Sequence, residues 1–353
     1  MRCIVGEGDV RSRVAPRDPC ALSDNHGHDP SPAMSPLRVP RFLQQHVADS
    51  VADRTQAQAA LLRRPASASP KYFYDRLGSH LFEAITELPE YYPTRTEAAI
   101  FSAHGAAMSQ RIGIGSTLVD LGAGNCAKAL RLFPLLEPAR YVAVDISVEF
   151  LRDALGLVQH EYPQLEVVGL GLDFSRTLDL PAELTTGRTT FFYPGSSIGN
   201  FSPDEALAFL RSVRELAGGG GLLIGVDLVK PAPLLEAAYD DALGVTAAFN
   251  LNLLRHLNRL IGSDFNPTQW RHVCLYNAAQ SRVEMHLEAR EVLTVYWPGG
   301  QRSFALGERL HTENSYKYTV ESFSALLVQA GFDAPAHWSD ARGWFAVLWA
   351  GAN

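Results

Sequence analysis

A glycine turn between two apolar runs constrains the fold of this 353-residue chain more than any other feature. The first apolar run ends in Asp120, turns through Gly122 and Gly124, and continues into a helical pattern. A second apolar run follows and carries an acid, Asp145. A strand, a glycine turn, a helix and a strand that ends in an acid form half of a doubly wound nucleotide site. The sequence therefore predicts a parallel α/β sheet with a ligand at this turn.

The turn suits a nucleotide that has no diphosphate. Glycines let the backbone approach a ligand closely, and an acid after the second strand can accept hydrogen bonds from both hydroxyls of a ribose. The Gly-x-Gly spacing lacks the third glycine of the dinucleotide fingerprint, in which a helix N-terminus receives a pyrophosphate. The pattern thus favours S-adenosylmethionine over NAD, and a turn without any ligand is the alternative interpretation.

Composition limits the possible partners. The net charge of −7 argues against a nucleic-acid backbone as the main partner, and no apolar run is long enough to span a bilayer. The four cysteines form no CxxC pair, and no histidine cluster has the spacing of a metal site. We therefore expect no structural metal, no membrane segment and a reducing, cytoplasmic location.

The chain divides into a tail, an alternating region and an insertion. Residues 1–35 are rich in polar residues and proline and show no sustained periodicity, which predicts a disordered tail. Strand and helix patterns alternate from residue 117 to residue 229, which indicates a parallel sheet covered on both faces. Residues 230–316 break this alternation and predict an inserted lid or substrate domain, after which a helix and a strand return to the sheet.

Two strand ends carry polar groups that could bind a ligand. The loop 195–200 follows a buried strand, and its Asn200 can orient a polar substrate group. The loop lacks the Gly-x-Ser-x-Gly spacing, so it does not predict a nucleophilic serine. Asp173 and Phe174 follow another strand and can offer a carboxylate and an aromatic face to adenine. A turn or a cap is the alternative role for Asn200 and Asp173.

Further candidates are tyrosines in polar surroundings and a carboxylate paired with a hydroxyl. Tyr74, Tyr91, Tyr92 and Tyr239 could face an ammonium or a sulfonium group, although core packing is the alternative for each. Glu313 and Ser315 alternate, so both point to one face of an extended segment. Together they could clamp a ring with two nitrogens such as imidazole, whereas surface placement is the alternative.

Taken together, these segments resemble the histidine-specific Nα-methyltransferases of ergothioneine biosynthesis. The combination is highly specific and runs over nearly the whole chain after the tail. The matching positions are 70–75, 78–79, 81–82, 88–97, 121–124, 128, 144–145, 195–201, 225–230, 238–241, 244–250, 283–285, 312–313, 315 and 317.

The resemblance implies trimethylation of the α-amino group of L-histidine to hercynine, through the mono- and dimethylated forms, with S-adenosylmethionine as methyl donor and without a metal. It also implies two domains. A Rossmann-like class I methyltransferase sheet would comprise residues 96–229 and 317–353. A mixed α+β substrate-binding domain would comprise residues 36–95 and 230–316.

The same resemblance assigns nine residues to the substrate site: Tyr74, Phe82, Tyr91, Gly195, Asn200, Tyr239, Met285, Glu313 and Ser315. It assigns six residues to the donor site: Gly122, Gly124, Lys128, Asp145, Asp173 and Phe174. The amino-acid end of histidine would lie at Tyr74, Tyr91, Asn200 and Tyr239, and Tyr74 and Asn200 would orient the reacting amine. Glu313 and Ser315 would hold the imidazole. The sequence departs from the family pattern at Asn314, where a small apolar residue is expected, and this position bears on the shape of the imidazole pocket.

Three other functions compete with this interpretation. An Nα-methyltransferase for tryptophan-like amino acids would have no use for Glu313, because an indole carries a single donor and no basic nitrogen. An inactive S-adenosylmethionine-binding regulatory module would not need the full set of polar positions. An NAD oxidoreductase would need the missing third glycine. The interpretation as a histidine-methylating enzyme, expected to be a monomer, therefore accounts for most of the sequence.

Overall fold

The structure is a computed structural model that describes residues 38–45, 50–175 and 177–353. The predicted tail, residues 1–35, lies outside the described residues. In the described part, apolar side chains form buried clusters on both faces of a large sheet and a third cluster beneath a smaller sheet.

The large sheet has eight strands in the order β1-β5-β4-β3-β6-β7-β14-β13. All neighbours from β1 to β7 pair in parallel, whereas β14 runs antiparallel to both β7 and β13. The strands are β1 Arg41–Gln44, β3 Thr117–Leu121, β4 Arg140–Asp145, β5 Glu166–Gly171, β6 Thr189–Tyr193, β7 Gly221–Asp227, β13 Ala336–Ser339 and β14 Phe345–Gly351.

The direction of strand succession reverses between β3 and β6. From β3 the chain moves through β4 to β5 on one side, and then returns to β6 and β7 on the other side. Ligands of open α/β sheets bind in the crevice at such a switch point, outside the carboxyl ends of the strands. The predicted Rossmann-like α/β fold is therefore confirmed, and Asp120 near the end of β3 lies beside the switch point.

The side chains of the central strands alternate between two buried faces. Val119 and Val142 belong to the apolar cluster on one face, and their neighbours Leu118 and Tyr141 belong to the cluster on the other. Helices cover both faces, as burial on two sides of a parallel sheet requires. The helices are α1 Val51–Leu62, α2 Arg76–Thr86, α3 Tyr92–Ile112, α4 Ala127–Leu130, α5 Phe133–Leu136, α6 Val148–Glu161, α7 Pro203–Leu216, α8 Ala232–Tyr239, α9 Val245–Ile261 and α10 Val320–Gln329.

A second sheet has four strands in the order β2-β12-β9-β8, and a hairpin of β10 and β11 lies apart from it. β12 pairs antiparallel with β9 and in parallel with the short β2. Helix α9 packs against this sheet through the third apolar cluster. These strands are β2 Ala66–Ser67, β8 Trp270–Asn277, β9 Arg282–Ala289, β10 Leu293–Trp297, β11 Gly300–Phe304 and β12 Arg309–Tyr316.

Two elements differ from the sequence-based expectation. Residues 41–44 fall in the segment assigned to the substrate domain, yet β1 pairs with β5 and extends the large sheet. Helix α3 begins at Tyr92, so its first turn precedes residue 96, where the methyltransferase domain is expected to begin, and Pro93 fits that turn because its N–H group is not needed there. The two-domain division otherwise stays a prediction.

Close packing around Gly225 in β7 gives a test of the sheet. A Cβ atom at this position would lie 2.1 Å from Glu97 Oε1 and 2.9 Å from a ring carbon of Phe345. We expect Gly225→Ala to lower the free energy of unfolding by about 1–3 kcal/mol through overpacking. Gly156→Ala is the matched control, since it lies in α6 with no atom within 4 Å of its new Cβ. The control should leave stability unchanged or raise it by about 0.5–1 kcal/mol in urea unfolding. Equal losses in both variants would contradict this packing.

Candidate active site

One cavity brings together all nine residues that the sequence assigns to the substrate site. They come from the segment before α2, from α2 itself, from the residue before α3, from the loop after β6, from α8 and from the facing strands β9 and β12. The predicted residues that line the cavity are Tyr74, Phe82, Tyr91, Gly195, Asn200, Tyr239, Met285, Glu313 and Ser315. Residues separated by more than 200 positions in the sequence therefore share one surface.

Glu313 places a buried carboxylate in this cavity. Glu313 is 8 % exposed. Burial raises the pKa of Glu313 to about 7, although the charge of Lys317 and a hydrogen bond from Asn200 act to lower it. At neutral pH the carboxyl group can therefore accept a hydrogen bond from a ring N–H group, or donate one to a ring nitrogen that carries a lone pair. The contact with Asn200 also shows that the predicted amine-orienting and ring-binding residues are direct neighbours.

A β-bulge directs Glu313 and Ser315 into the cavity. The register of β12 against β9 shifts between His311 and Glu313, so that Glu313 lies opposite Met285, and both line the cavity. Asn314 lies between the two cavity residues and points to the other face, where its Oδ1 is 2.9 Å from Nε2 of His311. The departure from the family pattern at Asn314 therefore lies outside the residues that line the cavity.

Aromatic rings form much of the cavity wall. Phe82 makes edge contacts with Tyr74 and Tyr91, at centroid distances of 5.8 and 6.2 Å, and Tyr91 makes one with Tyr239 at 6.3 Å. Burial, reinforced by nearby acidic groups, raises the pKa of all three tyrosines well above the usual value. The phenols are therefore neutral, and they can donate hydrogen bonds while their ring faces attract a cation.

A buried ionic network lies behind the cavity. Asp227 at the end of β7 accepts hydrogen bonds from Tyr92 Oη, from Lys230 and, at 2.8 Å, from Lys317 Nζ. Lys317 Nζ also lies 2.9 Å from Tyr239 Oη and 2.8 Å from Ser315 Oγ. The network therefore connects the end of the large sheet to two hydroxyl groups of the cavity.

The predicted donor site forms around the glycine turn. Gly122 and Gly124 have φ values of +73° and +52°, which favour glycine. The backbone N–H of Gly124 donates to Asp145 Oδ2 at 2.9 Å, and that of Ser147 donates to Oδ1 at 2.8 Å. These bonds fix the carboxylate while leaving lone pairs on both oxygens. Burial raises the pKa of Asp145.

Asp173 and Phe174 lie at the same edge of the sheet, but the carboxylate of Asp173 already has partners. Lys71 Nζ lies 3.1 Å from Asp173 Oδ2 and 2.6 Å from Asp53 Oδ1, and Ser175 donates to the other oxygen of Asp173. The ring of Phe174 would be 3.8 Å from a Cβ atom at Gly122. Phe174 therefore closes over the glycine turn, whereas Asp173 connects this edge to the segment that carries Tyr74.

Glu97 connects Lys128, which follows the glycine turn, to Gly195, which lines the cavity. Glu97 is 1 % exposed, accepts a hydrogen bond from the backbone N–H of Gly195 at 2.8 Å, and contacts Lys128 Nζ at 2.7 Å. Glu97 lies in a segment of the family resemblance but was not among the predicted site residues. Its partners are 31 and 98 positions away, so no local pattern could identify its role.

Several other cavity residues were also missed. They are Ile85, Ser196, Ser197, Ala238, Thr246 and Phe249. Thr246 and Phe249 lie in the family-like segment 244–250, which was the available signal.

Two further observations concern the described chain as a whole. In residues 38–45, 50–175 and 177–353, no helix combines the length and the apolar character needed to cross a membrane. The same residues contain no group of three or more histidine, cysteine or acidic side chains placed to hold a metal ion.

Comparison with known proteins identifies clear relatives. A family model described as histidine-specific methyltransferase, SAM-dependent, matches residues 53–352. Histidine N-alpha-methyltransferase of Mycolicibacterium smegmatis is 39 % identical over 309 residues, which cover 85 % of this chain and 95 % of that protein. The protein of the same name from Mycobacterium tuberculosis is 38 % identical over 311 residues, with the same coverage. Ergothioneine biosynthesis protein 1 of Neurospora crassa is 31 % identical over 280 residues, which cover 75 % of this chain and 31 % of that protein.

Proposed function

The chain belongs to the family of S-adenosylmethionine-dependent, histidine-specific methyltransferases, and we propose that it converts L-histidine to hercynine by three successive methylations of the α-amino group. The names of the relatives from Mycolicibacterium smegmatis, Mycobacterium tuberculosis and Neurospora crassa support this substrate and a role in ergothioneine biosynthesis. The observation that carries the proposal is the cavity itself, which combines a buried carboxylate and a hydroxyl with neutral tyrosines.

Histidine would bind with its two ends at different parts of the cavity. Glu313 and Ser315, on one face of β12, would pair with the two nitrogens of the imidazole. The amino-acid end would lie at Tyr74, Tyr91, Asn200 and Tyr239. Phe82, Gly195 and Met285 would complete the walls around the substrate.

The reacting amine has to lose its proton before it can attack a methyl group. The α-amino group at the end of a peptide has a pKa of about 8, and burial lowers the pKa of an amine because it disfavours the charged form. Tyr74 and Tyr91 remain neutral because burial raises their pKa, so they would orient the amine by hydrogen bonds and not as phenolate bases. Asn200 would hold the substrate from the loop after β6. Positioning of this kind supplies a large part of the rate in a transfer between two bound groups.

The residues at the glycine turn fit S-adenosylmethionine. Asp120 Oδ1 is buried and has no hydrogen-bond partner within the described residues, and burial raises the pKa of Asp120 to about 7. The carboxylate of Asp145 keeps free lone pairs for ribose hydroxyls, and Phe174 offers a ring face beside Gly122. Lys128 and Asp173 would complete the donor site. When bound, the donor supplies an electrophilic methyl group on a sulfonium.

Aromatic walls suit the accumulation of methyl groups on nitrogen. The quaternary ammonium of the final product carries a permanent charge and no N–H group, so it cannot form a hydrogen bond. Ring faces of Tyr74, Phe82 and Tyr91 can still stabilise it by cation–π attraction. The same walls would therefore accept the mono- and dimethylated forms as substrates for the next transfer.

The cavity disfavours the competing functions. A tryptophan-like ring carries one N–H donor and no basic nitrogen, so it cannot pair with both Glu313 and Ser315. Leaving one of these buried groups without a hydrogen bond costs free energy of binding. A regulatory module that only binds S-adenosylmethionine would not need a second site for a substrate. It would therefore not need Glu97 to connect Lys128 of the proposed donor site to Gly195 of the cavity. We further propose a cytoplasmic location, in line with the free thiols of Cys126 and Cys274 in the described chain. The monomeric state stays a prediction.

The direct test is product analysis with S-adenosylmethionine and single amino acids. We expect histidine to gain one, two and then three methyl groups by mass spectrometry, with all of them on the α-nitrogen in fragment spectra. Tryptophan and phenylalanine serve as the comparison. Absence of any methylated histidine, or methylation on the ring, would contradict the proposal.

Asp145 provides a test of the donor site. We expect Asp145→Ala to weaken S-adenosylmethionine binding about tenfold or more, since it removes a charged acceptor for two ribose hydroxyls. Isothermal titration calorimetry measures this affinity. Asp204→Ala, which removes an exposed carboxylate from the first turn of α7, should leave it unchanged. An unaltered affinity in Asp145→Ala would show that the acid does not contact the ribose.

Glu313 provides a test of substrate specificity. Wild type should prefer histidine to tryptophan by orders of magnitude, because an indole has one N–H donor and no basic nitrogen and cannot pair with both Glu313 and Ser315. Glu313→Ala should lose histidine turnover and relax the kcat/KM ratio between the two substrates. Glu284→Ala is the control, since Glu284 is an equally buried carboxylate that pairs with Arg282 and His286 on the other face of the sheet. If Glu313→Ala kept the wild-type ratio, Glu313 would not read the side chain.

A further inference from the structure

The side chain of Lys317, just after β12, lies fully buried behind the cavity. Its side chain has 0 % exposure, and its Nζ atom has three acceptors at hydrogen-bond distance. These are Asp227 Oδ2 at 2.8 Å, Ser315 Oγ at 2.8 Å and Tyr239 Oη at 2.9 Å. An ammonium group has three hydrogens and no lone pair, so these contacts use its full capacity. Lys317 therefore has no hydrogen left for a substrate, and it can act on the reaction only through Tyr239 and Ser315.

The two hydroxyl groups that Lys317 contacts also contact each other. Tyr239 Oη and Ser315 Oγ are 2.8 Å apart, and either oxygen can be the donor of that bond. Only one hydrogen fits between them. That bond uses one of their two hydroxyl hydrogens, and a single hydrogen is left for a ligand. Lys317 donates to both oxygens and so holds them in contact.

The remaining hydrogen has two possible positions. If Tyr239 donates to Ser315, then Ser315 accepts two bonds and can only donate to the cavity. If Ser315 donates to Tyr239, then Tyr239 donates to the cavity and Ser315 presents a lone pair. The two hydroxyls can therefore not both donate to a bound molecule while Lys317 holds them in contact with each other.

We propose that Lys317 is a positioning residue that makes Tyr239 and Ser315 one coupled unit, so that recognition of the amino-acid end fixes which hydrogen-bond group the imidazole must present. This inference rests on the proposed function and its substrate orientation. The substrate carboxylate can only accept, and hydrogen bonds to an ionised acceptor are about twice as strong as neutral ones. Tyr239 thus donates to the amino-acid end, and Ser315 faces the ring as an acceptor. The cavity then selects rings that carry an N–H toward Ser315.

Thiazolylalanines test this selection. In the two isomers, sulfur replaces one or the other ring nitrogen of histidine, so the remaining nitrogen can only accept. Wild type should use both isomers at least about tenfold less efficiently than histidine, the factor expected for one unsatisfied hydrogen bond. Lys317→Met removes the ammonium that holds the two hydroxyls in contact, so that Ser315 can turn its hydrogen from Tyr239 toward the ring. This change should raise the efficiency on one isomer relative to histidine. The change should appear in KM more than in kcat, while the affinity for S-adenosylmethionine stays at the wild-type value.

Two further variants separate this role from a purely structural one. Lys230 is the other buried lysine that contacts Asp227, and it also contacts Tyr92 but neither cavity hydroxyl. Lys230→Met should therefore leave the ratio of the efficiencies on thiazolylalanine and histidine unchanged. Ser315→Ala should relax the ratio by itself, and adding Lys317→Met to it should cause no further change. Ser315→Ala removes no buried charge, so it keeps the test available if Lys317→Met does not fold.

The inference would be overturned if Lys317→Met kept the wild-type ratio, if Lys230→Met changed it equally, or if the effect of Lys317→Met persisted in Ser315→Ala. These results would leave histidine methylation by wild type intact. Failure of the wild type to methylate histidine is a separate result, which would contradict the proposed function as well.

Discussion

The structure depends on the burial of one carboxylate, that of Asp227, which is 1 % exposed at the end of the central strand β7. Burial alone would raise the pKa of Asp227, but the ammonium groups of Lys317 and Lys230 hold it below its usual value. The phenol of Tyr92 donates to the same group. A buried ion is stable only when such partners are complete, and removal of one partner is strongly destabilising. Since these partners come from α3, from the segment after β7 and from the segment after β12, the three segments have to assemble together.

Helix α3 connects this ionic network to the methyl-donor side. Tyr92 at its beginning binds Asp227, and Glu97, one turn further, binds both Lys128 and the backbone of Gly195. The loop at Gly195 lines the substrate cavity, whereas Lys128 follows the glycine turn of the proposed donor site. One rigid helix therefore sets the distance between the two sites. Methyl transfer needs nitrogen, carbon and sulfur in line, and such alignment tolerates little movement of either bound molecule. The buried contacts of α3 are suited to limit that movement.

The sequence predicts those parts of the site that depend on local periodicity. Glu313 and Ser315 alternate along a strand, and both line the cavity as expected. The same alternation places Asn314, which departs from the family pattern, on the opposite face. The glycine turn and the acid Asp145 were equally predictable, because a strand–turn–helix pattern fixes their positions within a few residues. In each case the information lies within a short stretch of chain.

The contacts that sequence reasoning missed are all long-range pairs of charged or polar groups. Lys71 reaches Asp173 over 102 positions, and Glu97 reaches Gly195 over 98. A charged residue in a helix usually marks a solvated face, so its burial against a distant partner has no signature in local hydrophobicity. These pairs do not define the fold class, which the apolar pattern already determines. They define how the proposed donor and substrate sites are placed relative to each other, and Lys317, behind the cavity, contacts the distant Asp227 in the same way. The geometry of the proposed site thus rests on buried polar contacts whose partners are brought together only by the complete fold.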